Sequence, residues 1–201
     1  MAEQIIDGTG KGFLAKVDNQ NRLEVHSFTE TAFETASVEG TAFNVNTLMQ
    51  DLSSSPSPSV GLLRITNNEA VPIVLAGWFI GTDSVTTASG FPIVSVFGGV
   101  TGFFGGPAET AVPIVNRSVG SAKNFNVESF RPTTLGPALD GGAADPVLYQ
   151  TQPSTGRVFG NVNIALVQGA SIGVQIATSD GSNINSGFIY TGFQAFLAPQ
   201  D

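Results

Sequence analysis

After Gly40 the sequence is a succession of short segments in which apolar and polar residues alternate, separated by turns rich in glycine and proline. The alternation is clearest in the last third, where Ile172, Val174 and Ile176 are spaced two residues apart. This period places the apolar side chains on one face and is typical of a half-buried β-strand. The pattern predicts strands at residues 42–47, 60–66, 71–80, 92–97, 112–116, 124–127, 158–166, 172–176 and 188–197.

Strand-rich patterning with glycine and proline turns, and no convincing amphipathic helix, predicts an all-β protein with a jelly-roll-like β-sandwich. Residues 29–36 have the only mild helical character, and their threonines favour an extended segment or one loose turn. The length of 201 residues suits one sandwich with an additional arm. No internal repeat indicates a propeller or β-helix. The pattern does not determine the order of the strands.

The N-terminal section differs from the rest in charge, because residues 1–39 hold ten of the 24 charged residues. Within it, residues 13–17 and 22–26 flank the polar segment 18–21, which predicts a β-hairpin. We therefore predict an N-terminal arm and hairpin at 1–40 and a sandwich body at 41–201. A hairpin of this size is not stable alone, so it either orders against another protein surface or completes the body's own sheet.

Composition excludes several classes of partner. Only 12% of the residues are charged, about half the usual ~25%, so the surface is solvated by neutral polar groups or buried against other subunits. A net charge of −8 with scattered basic residues argues against a nucleic-acid or membrane partner. The absence of cysteine excludes disulfides and thiolate metal sites. We predict neither a signal peptide nor a membrane helix, and expect synthesis in a cytoplasm.

The chain carries two motif-like segments that do not predict catalysis. Residues 169–173 match the nucleophile elbow G-x-S-x-G, but a strand-like pattern follows Ser171 and the single histidine, His26, lies upstream. We predict that Ser171 is a turn or strand residue and that His26 is solvated or at an interface. Residues 8–12 lack the ending of a phosphate-binding loop. We expect no catalytic, cofactor-binding or metal-binding residues, no cofactor and no enzymatic activity.

Aromatic residues and one long segment indicate where binding could occur. Trp78, Tyr149 and Tyr190 are the residues able to stack on a sugar, although Trp78 lies in the apolar run 72–80 and is predicted to pack in the core. Residues 131–157 are rich in proline and glycine and predict a long functional or partner-ordered loop. The candidate interface residues are Phe13, Leu14, Leu23, Val25, His26, Phe103, Phe104 and Tyr149.

Several blocks of the sequence, in order, resemble a family of tailed-phage virion structural proteins. The blocks are residues 7–11, 15–17, 21–29, 40–47, 63–69, 116–121 and 168–174. The resemblance implies a capsid decoration (cement) protein of the virion, whose partner is the major capsid protein or another virion subunit. The low charge and the long apolar loops predict a homo-oligomer, with a trimer favoured because jelly-roll particle proteins commonly pack around three-fold axes. The alternative is a tail or fibre module that binds carbohydrate or a receptor. Residues 131–157 depart from the family pattern, and no functional residue is carried over.

Overall fold

The computed structural model describes residues 16–17, 23–24, 32–54, 57–143, 146–151 and 155–198. The chain divides into two compact units, Met1–Thr31 and Ala32–Asp201. In the first unit, β1 (Lys16–Val17) pairs antiparallel with β2 (Leu23–Glu24), which confirms the predicted hairpin. The glycine-rich segment 8–12 and the rest of the predicted hairpin strands lie outside the described residues.

The second unit consists of strands with one short α-helix and one 3-10 turn at Leu52–Ser54. Its elements are α1 (Ala32–Val38), β3 (Ala42–Asn46), β4 (Gln50–Asp51), β5 (Ser59–Asn67), β6 (Ile73–Thr87), β7 (Pro92–Gly98), β8 (Val100–Phe103), β9 (Glu109–Ala111), β10 (Ile114–Asn116), β11 (Val127–Pro132), β12 (Leu139–Gly141), β13 (Leu148–Thr151), β14 (Gly156–Leu166), β15 (Ser171–Thr178) and β16 (Ile184–Leu197). Most of the predicted strands are found, several of them longer than the sequence pattern indicated. The predicted strand 124–127 is wrong except for Val127, because pairing with β5 and β9 places β11 at Val127–Pro132.

The strand order is that of a jelly roll, which confirms the predicted all-β sandwich. Sheet A has the order β10-β3-β16-β6-β14, with β4 also pairing with β16, and sheet B has the order β13-β7-β15-β5-β11-β9. Eight strands form four antiparallel pairs, β3 with β16, β5 with β15, β6 with β14 and β7 with β13. Successive pairs alternate between the two sheets. This is the wrapping of one long hairpin over itself that defines a jelly roll.

The core lies between the two sheets and contains side chains from both, such as Phe43 and Phe193 from sheet A and Ile65 and Val174 from sheet B. Trp78 is part of this core, as predicted, and is 7% exposed. Its indole Nε1 donates a hydrogen bond to Thr191 Oγ1 at 3.0 Å, so its polar group is satisfied on burial.

The connection from β7 to β13 adds a third layer to the sandwich. Its strands β8 and β12 pair with each other and contact β5 and β15 of sheet B. Glycines create the space for this ribbon, because a Cβ on Gly61 would lie 2.7 Å from the Phe103 ring and one on Gly173 would lie 2.8 Å from Leu139. Phe103 is therefore only 2% exposed. The prediction that Phe103 belongs to an accessible interface is corrected by this packing.

Two segments are more regular than their sequences predicted. Residues 32–38 form a regular helix of seven residues, where the sequence predicted an extended segment or one loose turn, because Phe33 packs edge-on against Phe196 at 6.2 Å and Ala36 is buried beside it. These tertiary contacts outweigh the weak propensity of the threonines. The helix also belongs to the second unit, whereas the sequence placed it in the arm. The predicted loop 131–157 contains β12, β13 and the first residues of β14.

No helix in the described part of the chain is long and apolar enough to span a bilayer.

Candidate binding face on sheet A

The outer face of sheet A carries an ordered grid of side chains on three central strands, β16, β6 and β14. The strand register places residues opposite one another in three rows. The rows are Tyr190, Gly81 and Arg157, then Gly192, Phe79 and Phe159, then Gln194, Gly77 and Asn161. The intervening residues of these strands, including Trp78, Ile80 and Phe193, point into the core. Because side chains alternate along a strand, the three rows face away from the core.

Each row contains one glycine, and an aromatic ring lies over each of the three. A Cβ on Gly81 would overlap the ring of Tyr190, and one on Gly192 would lie 2.5 Å from the Phe79 ring. A Cβ on Gly77 would lie 2.9 Å from the ring of Phe159, which comes from the neighbouring row. Glycine within a strand commonly marks such a close approach. The glycines leave room for atoms of the aromatic rings to approach the backbone of the sheet closely.

We call Phe79, Phe159 and Tyr190 the aromatic face. Phe159 is 56% exposed, whereas Phe79 and Tyr190 are half-buried. The ring centroids of Phe79 and Tyr190 are 6.3 Å apart, within the range of favourable aromatic pairs. Phe159 lies opposite Phe79 in the strand register, so the three aromatic residues are neighbours on the outer face of sheet A.

Polar groups border the aromatic face. Arg157 and Asn161 stand two residues before and after Phe159 on β14, and both are exposed. The Arg157 guanidinium lies 5.9 Å from the centroid of the Tyr190 ring, a cation–π distance. Asp83 accepts a hydrogen bond from Ser84 Oγ at 2.9 Å. The border therefore offers a cation, an amide and a carboxylate.

A concavity of about 350 Å³ opens beside this face. Its lining residues are Met49, Thr82, Asp83, Thr155, Gly156, Arg157 and Tyr190. Met49 is 54% exposed and also lines a second concavity of about 340 Å³, on whose border Asp51 and Arg131 lie. Each concavity thus pairs an arginine with an aspartate.

A larger concavity, about 570 Å³, lies beside α1. Its charged lining groups are Glu39, Glu69 and Lys123, and Glu69 already accepts a hydrogen bond from the Asn126 N–H at 2.7 Å. Phe196, which lines it, is only 7% exposed. This larger concavity therefore lacks an accessible aromatic ring of the kind that the aromatic face presents. We take the aromatic face as the candidate site.

The candidate interface residues predicted from the sequence do not lie on this face where the structure describes them. Phe104 is 70% exposed, in the turn after β8, whereas Phe103 is buried. Leu23 lies in β2 and Tyr149 in β13, and their side chains are outside the description. The remaining four lie outside the described residues: Phe13, Leu14, Val25 and His26.

Ser171, the serine of the G-x-S-x-G match, has a structural role. Ser171 begins strand β15, and its Oγ donates a hydrogen bond to the Val100 carbonyl oxygen at 2.5 Å. No helix follows it, so the prediction of a strand or turn residue is confirmed. Within the described residues, no group of three or more histidine, cysteine, aspartate or glutamate side chains could hold a metal ion.

Comparison with known proteins does not assign the chain to a family. No protein-family model matches the chain, and no curated protein matches it in sequence. The function is therefore inferred from the fold, the surface and the aromatic face.

Proposed function

We propose that the protein is a structural subunit of a tailed-phage virion, a capsid decoration protein that stabilises the head through protein–protein contacts. One observation carries this proposal: a jelly-roll body with little charge exposes large apolar side chains. Val119 is fully exposed, Leu48 is 72% exposed and Phe104 is 70% exposed. Burial of such apolar side chains against another subunit removes them from water and therefore favours association.

In this role the protein stabilises the head through the surface area that it buries against other subunits, and it catalyses no reaction. Stable specific interfaces bury about 1,600 Å² in total, and obligate ones bury more. Jelly-roll sandwiches are a recurrent architecture of virus particle subunits. The sequence resemblance to phage virion proteins supports the same role, with a homotrimer bound to the major capsid protein as the proposed arrangement.

The test uses particles of the phage that encodes this chain. Particles purified from a deletion strain are expected to release DNA at a lower temperature than wild-type particles, because the bracing contacts are missing. Addition of the purified protein should restore the wild-type release temperature. Gold-labelled antibodies should mark the head. Absence of the protein from purified particles would refute a virion role.

A tail or fibre module that binds carbohydrate or a receptor is the second candidate function. The aromatic face with its polar border favours it, because exposed rings beside hydrogen-bonding groups are suited to ligand binding. Gold label on the tail, together with unchanged head stability in the deletion strain, would support this candidate and contradict the first.

A further inference from the structure

We propose that the aromatic face is a carbohydrate-binding site that takes the pyranose ring of a polysaccharide, with Phe159 as the stacking surface. This inference goes beyond the structural role and deepens the second candidate function, on whose carbohydrate binding it rests. It does not depend on whether the subunit sits on a head or a tail, and its test does not require a particle.

The first step is stacking. A pyranose ring has an apolar face of C–H groups and a rim of hydroxyls. The Cζ and Cε2 atoms of Phe159 lie close to the backbone at Gly77, 2.9 and 3.2 Å from where a Cβ on that glycine would stand, so the sheet supports the tip of the ring. Its 56% exposure makes it the most accessible of the three rings. Contact between C–H groups and an aromatic ring is individually weak, but a flat, preformed ring loses little entropy on binding.

The second step is recognition of the sugar's rim. A strand rises about 3.3 Å per residue, so Arg157 and Asn161 stand roughly 6.6 Å to either side of Phe159 along β14. A guanidinium donates hydrogen bonds, and an amide both donates and accepts them, which matches hydroxyl groups. Across the sheet, Gln194 adds a second amide in the row of Asn161. Hydrogen-bonding residues thus stand on both sides of Phe159 along its strand.

The third step concerns charge and volume. Arg157 makes a cation–π contact with Tyr190, and no described carboxylate forms an ion pair with it. Asp83 uses one carboxylate oxygen for Ser84, while the other has no partner in the described part of the chain. The concavity between them, about 350 Å³, lies at the lower end of the ~300–1,000 Å³ typical of small-ligand sites.

These features favour a sugar over a second copy of the chain. Arg157 and Asp83 stand exposed around a small concavity, and Asn161 stands exposed on the other side of Phe159 along β14. A hydroxylated ligand satisfies such groups individually. A protein partner would need to desolvate the arginine, the aspartate and the amides together, which carries a cost unless each is paired.

The experiment screens the full-length protein on a microarray of bacterial surface glycans and then measures affinities by calorimetry. The soluble probes are cellotetraose, maltotetraose and chitotetraose as neutral sugars and tetragalacturonate as an acidic one. At least one probe is expected to bind with a Kd below about 10 mM. Phe159→Ala should weaken that binding by about tenfold or more, and Phe159→Trp should retain it.

Two further variants make the test specific. Phe91→Ala removes a ring of similar exposure, 52%, that lies outside the grid and should leave the affinity unchanged. Arg157→Gln should weaken an acidic probe more than a neutral one. Absence of binding to the array and all four probes would overturn the proposal, as would an unchanged affinity in Phe159→Ala. Conversion of an oligomer to single chains by Phe159→Ala, without sugar binding in either form, would identify the face as a subunit interface and also overturn it.

Discussion

Asp180 shows how a single side chain organises the end of this sandwich. Its carboxylate accepts hydrogen bonds from the hydroxyl of Ser89 and from the backbone N–H of Ser182. The Ser182 hydroxyl in turn donates to the Ser89 carbonyl oxygen. Ser89 lies in the turn after β6 and Ser182 in the turn before β16, so the carboxylate connects two turns that are distant in sequence.

These contacts predict a pH dependence that is local to the two turns. The hydroxyl of Ser89 first, and then Ser182, whose N–H donates to the carboxylate, lower the pKa of Asp180 from 3.8 to about 2. A lowered pKa means that the stabilisation is fully present above pH 3.8 and is lost as the pH falls through 2. We expect the Asp180 carboxyl carbon in NMR to titrate with a midpoint near 2.

Protection of the amides in the two turns, expressed as the ratio of the intrinsic to the observed exchange rate, should follow the same titration and fall only below pH 3.8. The Asp180→Asn variant serves as the control, because exchange in its turns should be fast at neutral pH and show no step between pH 4 and 2. A carboxyl midpoint at the ordinary value of 3.8 would contradict the hydrogen-bonding arrangement around Asp180.

At the scale of elements, the ribbon of β8 and β12 depends on bare backbone beneath it. Gly173 provides that surface, and a Cβ there would lie 2.8 Å from Leu139 and 3.0 Å from Val100. Two hydrogen bonds also fix the ribbon, one from the Gly61 N–H to the Pro137 carbonyl at 2.7 Å and one from the Leu139 N–H to Gln175 Oε1 at 2.9 Å. Packing and hydrogen bonds therefore both fix the third layer to sheet B.

The Gly173→Val variant tests this packing. Overfilling a packed site typically costs about 1–3 kcal/mol, so we expect a lower free energy of unfolding in urea. Hydrogen exchange should rise in residues 100–103 and 139–141 as the ribbon lifts and exposes Phe103. Gly102→Ala is the matched control within the ribbon, since its Cβ would meet nothing within 4 Å. Equal stability of Gly173→Val and wild type would show that the ribbon is not held by this contact.

The sequence predicts a strand or helix well where the element carries its own alternating pattern. It predicts poorly those elements that become regular only through contacts with residues distant in the sequence. The alternation at 172–176 predicted β15 because sheet B buries one of its faces directly. Helix α1 was not predicted, since its stability comes from Phe196, far away in the sequence. Strands β12 and β13 were read as loop because their glycine and proline content gives no alternating signal, and pairing with β8 and β7 makes them regular.

At the scale of the whole molecule, strand order and the binding face both arise from long-range pairing. The sequence predicted a jelly-roll-like sandwich but could not assign which strands are neighbours. Phe79, Phe159 and Tyr190 lie on three separate strands, and only the register of sheet A brings them together. Two local signals were present, glycines within the apolar strand β6 and the alternation of Arg157, Phe159 and Asn161. Neither predicts a neighbour without the fold.

The division of the chain predicts different results for two truncations. The second unit begins at Ala32 and has its own core, so deletion of residues 1–31 should leave a domain that melts cooperatively. Deletion of residues 1–40 also removes α1, which uncovers Phe196 and leaves Ala42 without the neighbouring Ala36. Lost burial of this size costs about 1–3 kcal/mol and should lower Tm by several degrees relative to the shorter deletion.

Assembly separates the two roles open to the arm. If residues 1–31 dock the subunit, the shorter deletion should be folded yet fail to form oligomers in light scattering and fail to join particles. As a control, full-length protein mixed with the truncated form at equal concentration shows whether the two forms compete for the same sites on the particle. If the arm instead completes the body's own sheet, the shorter deletion should be insoluble or lose its cooperative melting. Ordering the arm costs about 1–2 kcal/mol per residue, so a docking arm must make contacts that offset this cost, and the truncation removes them. A folded 32–201 domain that assembles and binds particles like the full chain would therefore refute the docking role.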